Sequence, residues 1–527
     1  MITGKNYVGN ELSAKGGITY STFDPKLNIP TEWNFHEATD EEINTAAEKA
    51  KSAFKAYRNT SGIQKADFLI AIAEEIENLG DVLIRVYIQE SGLPEGRAKG
   101  ERGRTMGQLR AFADLLKEGS WVDATIDTAQ PERQPLPKTD IRKMLVPKGP
   151  IVVFGSSNFP LAFSTAGGDT ASALAAGCPV IVKSHPMHAG TGELVASAII
   201  RAVERTGMPD GVFSNLNSSG IEVGQKLVMH PNVKGVGFTG SIRGGTALYQ
   251  LANERKEPIP VFAEMGSINP VVALPGALGE NGGLWAKSYA GSITLGAGQF
   301  CTNPGLLLGI KGNELDAFAS ILGKEIEKIE PGCMLHPNIY SGYEKGKEEL
   351  SSQSETQIVA SIDTEAPPNY GKQRILMVDG SDFMANPKLH QEVFGPFSIL
   401  VQCEDINELE KVIDQLEGQL TGTILGNEEE LQSYGPIAEA LRNRVGRLIF
   451  NGVPTGVEVC PSMQHGGPFP ASTDSRFTSV GTSAILRWVR PVSYQNWPQQ
   501  ALPDALKDDN PLDIMRLVNG RHTTSKI

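Results

Sequence analysis

Hydrophobic residues recur at two different spacings along this chain. Phe68, Ile72 and Ile76 stand four residues apart, which places them on one face of an amphipathic helix. This helical region is expected to begin near Asp40, a candidate N-cap that is followed by two glutamates in the first turn. A second helix is expected over residues 104–117.

Short continuous apolar runs predict buried strands in the next part of the chain. Such runs are Ile151 to Phe154, Pro179 to Lys183 and Val236 to Phe238, and a helical stretch over residues 166–176 separates the first two. Alternation of strands and helices is typical of a parallel, doubly wound sheet. The carboxyl ends of the three strands should then face one crevice, where such sheets bind ligands.

The alternating pattern resumes over about residues 261–450 and indicates a second α/β unit. A polar, proline-rich segment at residues 130–137 is expected to form a hairpin or loop. About the last seventy residues carry many polar positions and are expected to form an extended tail.

Composition and charge narrow the possible partners. The 527 residues are 40% hydrophobic and 21% charged, which suits a globular protein with a large core and two to four domains. The net charge of −13 argues against a nucleic acid or an anionic membrane as partner, because both require a basic face. No apolar run approaches the ~20 residues that span a bilayer, so no membrane association is expected.

Cysteine usage indicates a reducing compartment. The five cysteines are odd in number, scattered and without a CxxC pair. This pattern predicts a cytoplasmic protein without a disulfide framework and without a metal site.

Common catalytic motifs such as GxGxxG, the Walker loop, HExxH and GxSxG do not occur. Four separate segments carry candidate chemistry instead: Ser156 to Pro160, Phe262 to Gly266, Gly298 to Thr302 and Glu392 to Pro396. Each has an ordinary structural explanation when taken alone. Cys301 can be a small core residue, Glu264 an ion-paired group and Asn158 a turn former. The segment from Glu392 can be a surface turn.

Taken together, the segments resemble the aldehyde dehydrogenase superfamily over nearly the whole chain. The matching positions are the asparagine Asn158, the strand-end lysine Lys183, the FTGS turn Phe238-Thr239-Gly240-Ser241, the glutamate Glu264, the GQxC nucleophile Cys301 and the ExFGP block from Glu392. The glutamate and the cysteine are 37 positions apart, close to the usual spacing of the family.

The resemblance implies an α/β fold with two doubly wound parallel-sheet domains and a small oligomerisation arm. It implies a cofactor-binding domain from residues 1–119 and 146–257, and a catalytic domain from residues 258–455. Residues 120–145 and 456–527 would form the oligomerisation hairpin and the C-terminal tail. A homodimer or homotetramer is expected.

The resemblance also implies a mechanism for aldehyde oxidation. The thiolate of Cys301 would attack the aldehyde carbonyl to give a thiohemiacetal and then a thioester. The side-chain amide of Asn158 and the backbone N–H of Cys301 would stabilise the oxyanion. Glu264 would activate the hydrolytic water and could also help to deprotonate Cys301.

Cofactor binding is implied at several of the matching positions. Glu392 would bind the nicotinamide ribose, with Phe394 packing against that end of the cofactor. The FTGS turn, from Phe238 and Thr239 to Gly240 and Ser241, and then Gly245 would receive the pyrophosphate at a helix start.

Two departures from the family pattern bear on the choice between NADP and NAD. Pro186 stands where NAD-preferring members commonly have a glutamate that binds the adenosine ribose. Lys183, Ser184 and His185 could then supply donors to a 2′-phosphate, so NADP is the favoured cofactor and NAD the alternative. The usual Thr-Glu after FTGS is replaced by Ile242-Arg243.

The stretch from Gln464 to Arg476 differs from the common C-terminal ending of the family. It resembles the bacterial branch that oxidises 2-oxoglutarate semialdehyde (2,5-dioxopentanoate) in sugar-acid and hydroxyproline catabolism. A substrate carboxylate needs a cation in the tunnel, and Arg104 is the candidate, with Arg476 as a second. Phe159 and Phe163 are expected to line the tunnel walls. Arg104 could also be an ordinary solvated or ion-paired helix residue.

Other functions stay open at this point. Fatty aldehyde dehydrogenases are neighbours of this branch and would need an apolar tunnel instead. A CoA-acylating aldehyde dehydrogenase typically lacks the glutamate found at Glu264, and a non-enzymatic relative would be expected to lose Cys301 or Asn158.

Overall fold

The structure, a computed structural model, describes residues 2–527 and has two seven-stranded sheets with helices packed on them. The predicted α/β fold with parallel, doubly wound sheets is confirmed. The α-helices are Asp40–Tyr57, Gly62–Asn78, Gly80–Ser91, Glu95–Glu118, Gly168–Ala176, Ala189–Thr206, Glu222–Met229, Ile242–Asn253, Pro275–Thr294, Asn313–Glu327, Pro337–Ser351, Gly380–Ala385, Ile406–Gln415, Glu428–Ser433 and Gly435–Arg442.

The first sheet contains the apolar runs that the sequence marks as strands. Its order is Val261–Glu264, Gly235–Thr239, Ile151–Phe154, Val180–Lys183, Phe213–Leu216, Asn6–Val8 and Glu11–Ser13. The first five strands are parallel to one another. The strand Asn6–Val8 is antiparallel to both of its neighbours, Phe213–Leu216 and Glu11–Ser13. The chain reverses its winding direction between the strand from Ile151 and the strand from Gly235, which is where doubly wound sheets open a ligand crevice. The strand ends at Phe154, Lys183 and Thr239 share one edge, as predicted.

Both faces of this sheet are covered, which explains why its strands are apolar without alternation. Val153 and Val182 face one hydrophobic cluster, and Val152 and Ile181 face another on the opposite side. A strand that is buried on both faces favours a continuous run of β-branched residues.

The second sheet lies in the C-terminal half. Its order is Gln357–Ser361, Arg374–Asp379, Phe397–Cys403, Leu306–Ile310, Val271–Ala273, Gln419–Leu425 and Val445–Phe450. All neighbouring pairs are parallel except the first.

A third sheet of five strands corrects the expectation of an extended tail. Its order is Val489–Gln495, Ile141–Pro147, Thr125–Asp127, Arg516–Val518 and Arg521–Thr523. Two of the C-terminal strands, Val489–Gln495 and Arg516–Val518, find partners more than 300 residues earlier in the chain, and a local pattern carries no signal of such a pairing. Two further strand pairs are Thr19–Asp24 with Ile29–His36 and Gly332–Cys333 with Tyr370–Gly371.

Two details of the helices differ from expectation. Thr39, not Asp40, is the N-cap of the first helix: its hydroxyl accepts from the Glu42 N–H while the Glu42 carboxylate accepts from the Thr39 N–H, a capping box. The helix expected over residues 104–117 begins at Glu95, and its first turns bury Ala98 and Glu101. Among the described residues, no helix has the length and apolar character to cross a membrane.

Candidate active site

The three catalytic candidates meet at the junction of the two large sheets. Asn158 follows the strand Ile151–Phe154, and Glu264 is the last residue of the strand Val261–Glu264. That strand pairs in the first sheet, so this sheet extends beyond residue 257, where the sequence places the end of the cofactor-binding domain. Cys301 follows a tight turn that ends the helix Pro275–Thr294.

The turn before Cys301 requires glycine. Gly298 has a φ of 68°, and a β-carbon there would lie 2.2 Å from the carbonyl of Gly395. Only a residue without a side chain fits this close passage. The loop that carries Cys301 therefore lies directly against the loop that carries Glu392.

A histidine that the sequence analysis did not single out lies beside the candidates Cys301 and Glu264. His465 Nε2 lies 3.4 Å from Cys301 Sγ and 2.9 Å from Glu264 Oε1. The reactive atoms of the three side chains all lie within 4.8 Å of one another. Glu264 is 4% exposed and His465 is 1% exposed, so bulk water screens this group weakly.

Burial and neighbouring charges set the protonation of the pair. Burial raises the pKa of the Cys301 thiol well above its usual range, the Glu264 carboxylate raises it further, and the Arg104 guanidinium opposes both. Burial also raises the pKa of Glu264, but contact with His465 and the Ser479 hydroxyl outweighs it and leaves that pKa below its usual value. A buried carboxylate thus stands beside a protonated thiol.

Asn158 is positioned to act as an oxyanion donor. Its Nδ2 donates to the Gln299 carbonyl at 3.1 Å, and the residue lines the same cavity as Cys301. An amide nitrogen has two protons, so the second stays available to an oxygen in the cavity.

Arg104 lies against an aromatic wall that ends beside Cys301. Its guanidinium carbon is 5.2 Å from the Phe163 ring centre and 5.7 Å from that of Phe159. Within residues 2–527, its buried Nε and Nη2 have no hydrogen-bond partner. The wall is defined here by the buried apolar residues Phe159, Ala162, Phe163, Phe300 and Val480, with Val457, Val459 and Met463 packed on them.

The other arginine candidate lies elsewhere. Arg476 has a side chain that is 79% exposed, and it pairs with Asp474 at 2.6 Å. It is not part of the group formed by Cys301, Glu264 and Arg104. Its position near Phe477 instead suits a surface residue that packs on a ring.

Ser241 lines two cavities, and Cys301 and Glu264 line the first of them. The first, about 330 Å³, is lined by Asn158, Glu264 and Cys301 together with Thr239, Gly240, Ser241, Glu392 and Phe394. The second, about 420 Å³, is lined by Lys183, Phe238, Ser241, Arg243 and apolar residues of the helix Ile242–Asn253. An elongated cofactor with two ends fits such a pair of cavities.

The helix start between the cavities suits a phosphate. The Ser241 hydroxyl accepts from the Gly244 N–H at 3.1 Å, and the helix Ile242–Asn253 directs its remaining N-terminal N–H groups outward. Gly245 is buried in the first turn, where a β-carbon would lie 2.5 Å from Met265 Sδ. Lys183 donates to the Ser218 carbonyl at 3.0 Å, and burial lowers its pKa to about 8.

Not every cofactor candidate lines these cavities. The Ser184 side chain is buried beneath Gly192, and His185 stacks on His188 with 5.0 Å between ring centres. Burial first, and then His188 and Lys183, hold the pKa of His185 well below its usual value. Glu392 lines the first cavity, and burial raises its pKa to about 7.

Sequence reasoning missed His465 and Arg97. His465 lies inside the C-terminal stretch noted for its departure from the family ending, but 164 residues separate it from Cys301. Arg97 covers the Phe159 and Phe300 rings at 4.3 and 4.6 Å and donates to the Asn158 carbonyl. The signal for Arg97 was its spacing of seven residues from Arg104, which places both on one helix face.

Comparisons with known proteins identify the family and the fold of this chain. A sequence model of the aldehyde dehydrogenase family matches residues 14–475. The chain is 48% identical over 521 residues to alpha-ketoglutaric semialdehyde dehydrogenase 2 of Azospirillum brasilense, covering 99% of both proteins. It is 46% identical over 518 residues to alpha-ketoglutaric semialdehyde dehydrogenase of Acinetobacter baylyi, covering 98% of both. Among solved structures, 1-pyrroline-5-carboxylate dehydrogenase from Thermus with bound NAD has the same fold, with a TM-score of 0.77 at 20% identity over 93% of this chain and 92% of that one.

Proposed function

The chain belongs to the aldehyde dehydrogenase family, and from this premise we propose that it oxidises 2-oxoglutarate semialdehyde to 2-oxoglutarate. The family makes it an NAD(P)-dependent oxidoreductase. The two similar proteins from Azospirillum and Acinetobacter bear the name of this substrate and align end to end with the chain.

The observation that carries the substrate assignment is the unpaired guanidinium of Arg104. The nearest carboxylate on its helix, Glu101, already accepts hydrogen bonds from the Leu161 and Ala162 N–H groups and from the Tyr87 hydroxyl. A buried cation without a partner is costly, so a ligand carboxylate is its natural counterion. The aromatic wall beside it suits the methylene groups of a short semialdehyde.

The chain's own residues then perform the chemistry in a fixed order. Cys301 Sγ, as thiolate, attacks the aldehyde carbon, and the free Nδ2 proton of Asn158 donates to the oxygen that becomes negative. The nicotinamide cofactor, when bound, accepts the hydride that leaves this carbon. Glu264 holds the proton taken from the water that hydrolyses the thioester on Cys301.

NADP is the proposed cofactor. Two cations, Lys183 and Arg243, line the second cavity, and none of the described residues that line it is an aspartate or a glutamate. A 2′-phosphate would meet positive charge there without a repelling carboxylate. Glu392 and Phe394 would hold the nicotinamide end in the first cavity.

We also propose a homodimer or homotetramer in a reducing cytoplasm. Val489–Gln495 is an edge strand of the third sheet, and Trp497, Leu512 and Met515 expose apolar surface nearby in the chain. A catalytic thiol and four further unpaired cysteines suit a reducing compartment. Light scattering on the purified protein tests the assembly.

The aromatic wall alone would also suit a fatty aldehyde, so a substrate panel decides between the two. We expect kcat/KM for 2,5-dioxopentanoate to exceed that for pentanal and for dodecanal by at least tenfold. Preference for dodecanal would overturn the substrate assignment. Added CoA should leave the rate unchanged, because Glu264 activates water, and water is then the acyl acceptor.

A further inference from the structure

The contact between His465 and Cys301 has no role in the steps above. His465 Nε2 stands between two reactive groups, 3.4 Å from Cys301 Sγ and 2.9 Å from Glu264 Oε1. Its other ring nitrogen, Nδ1, is buried and has no hydrogen-bond partner within residues 2–527. Nε2 is therefore the ring nitrogen that contacts both Cys301 and Glu264.

The backbone around His465 holds the ring in this position. Its N–H donates to the Thr478 hydroxyl at 2.9 Å, and its carbonyl accepts from the Ser479 N–H at 2.8 Å. The Ser479 hydroxyl in turn donates to the second oxygen of Glu264. The Phe163 ring, 6.3 Å from the imidazole, covers the remaining side. His465 and Glu264 are thus fixed relative to each other through Ser479.

We propose that His465 is the base that deprotonates Cys301. Before the step the imidazole is neutral and carries its proton on Nδ1, so Nε2 has a free electron pair. The Sγ–H bond breaks, its electron pair stays on sulfur, and a new N–H bond forms at Nε2 to give an imidazolium, which then pairs with Glu264. No group is oxidised or reduced in this step. The inference deepens the proposed function, because it rests on Cys301 as the nucleophile.

The charges around the thiol explain why such a base is needed. Glu264 and Glu392 contribute negative charge at Cys301, and burial opposes a free thiolate. Arg104 and Arg447 contribute positive charge at Cys301, and the Arg104 guanidinium lies 5.2 Å from the Phe163 ring centre. An imidazolium at Nε2 would stand between thiolate and carboxylate and compensate both. Glu264 then stays ionised and can accept a proton from the hydrolytic water.

The test follows the alkylation of Cys301 by iodoacetamide between pH 5 and pH 10, because only the thiolate reacts. The wild-type midpoint is the reference, and His465 should hold it below the value that burial and Glu264 alone would give. His465→Gln keeps a polar side chain without a titratable base, so its midpoint should rise by at least about one pH unit. At pH 7 this makes alkylation roughly tenfold slower. His522→Gln, an exposed histidine in the third sheet, is the matched control, and Cys301→Ala gives the background from the other thiols.

The outcomes separate a base from a merely structural residue. A structural role would slow alkylation equally at every pH and leave the midpoint in place, and this result would overturn the proposal. A shift in Glu264→Gln without one in His465→Gln would do the same. If His465→Gln does not fold, His465→Asn gives the same comparison, and a midpoint equal to that of the wild type rejects the proposal. Alkylation needs no aldehyde, so its failure is distinct from a failure of the substrate panel.

Discussion

Arg97 and Glu101 form an ion pair one helical turn before Arg104, with 3.3 Å between Arg97 Nε and Glu101 Oε2. The Glu101 carboxylate is therefore engaged by Arg97, and among the described residues Arg104 has no ion pair of its own. This arrangement leaves a cation available beside the aromatic wall, and it makes the role of Arg104 testable.

Arg104→Ala should reduce kcat/KM for 2,5-dioxopentanoate by roughly 30- to 1,000-fold. A substrate carboxylate left buried and unpaired costs on the order of 2–5 kcal/mol, and 1.4 kcal/mol is about tenfold. Steady-state rates with pentanal, which has no carboxylate, should change little. Arg110→Ala, an exposed arginine on the same helix, is the control. Equal losses for both substrates would assign Arg104 to the fold.

Cys301→Ala should abolish aldehyde oxidation and leave cofactor affinity largely unchanged. The alanine lacks the sulfur that forms the covalent intermediate. Activity assays and cofactor titration by fluorescence measure the two effects separately. Measurable turnover by this variant, above that of a mock preparation, contradicts the covalent mechanism.

Glu264→Gln should slow deacylation by roughly 10²- to 10⁴-fold, because it keeps the shape and removes the base. Rapid-quench kinetics should then show a burst of reduced cofactor followed by slow turnover. The burst separates acylation from deacylation. Its absence would mean that Glu264 acts before the thioester forms. A steady-state rate equal to that of the wild type would remove Glu264 from the mechanism.

Arg243→Gln should weaken NADP binding more than NAD binding, by about tenfold or more, since NADP carries an extra phosphate that the lost charge in the second cavity would pair with. Pro186→Glu should shift the preference in the same direction by adding a carboxylate near the ribose. Dissociation constants for both cofactors, measured without aldehyde, provide the comparison. A wild-type protein that already prefers NAD tenfold would rule out the proposed phosphate site.

Cofactor affinity should depend on pH through Glu392. Burial raises the pKa of this carboxyl to about 7, so below pH 7 it is mostly protonated in the free protein. Ribose hydroxyls donate more strongly to the ionised form, so affinity should fall as the pH drops from 8 to 6, by at most about tenfold per pH unit. Glu392→Gln should bind more weakly at pH 8 and show no such slope. An equal slope in both proteins would assign the effect to another group.

The sequence predicted the parts of the fold that depend on local pattern. The run Ile151 to Phe154 predicts its strand because both faces of that strand are buried. The third sheet was missed because Val489–Gln495 pairs with Ile141–Pro147, far away in the chain. The sequence signal for Thr39 as the N-cap is Glu42, because a threonine followed three residues later by a glutamate is the spacing of a capping box.

The same distinction applies to the site. Cys301 and Glu264 could be named because short motifs surround them. His465 could not, because its partners come from two other segments and only the folded chain brings them together. Arg104 was named as the cation that a substrate carboxylate would need, but only the folded helix shows that the nearby Glu101 is paired with Arg97.

The passage of Gly298 against Gly395 restricts how this enzyme could be re-engineered. Because the two backbones leave no room for a β-carbon, the loop of the nucleophile and the loop of Glu392 form one unit that tolerates little variation. Changes selected for a new cofactor would disturb the nucleophile if they fell there. Adaptation is therefore expected at the far end of the cofactor cavities, at Lys183 and Arg243, where substitutions leave the reacting atoms in place.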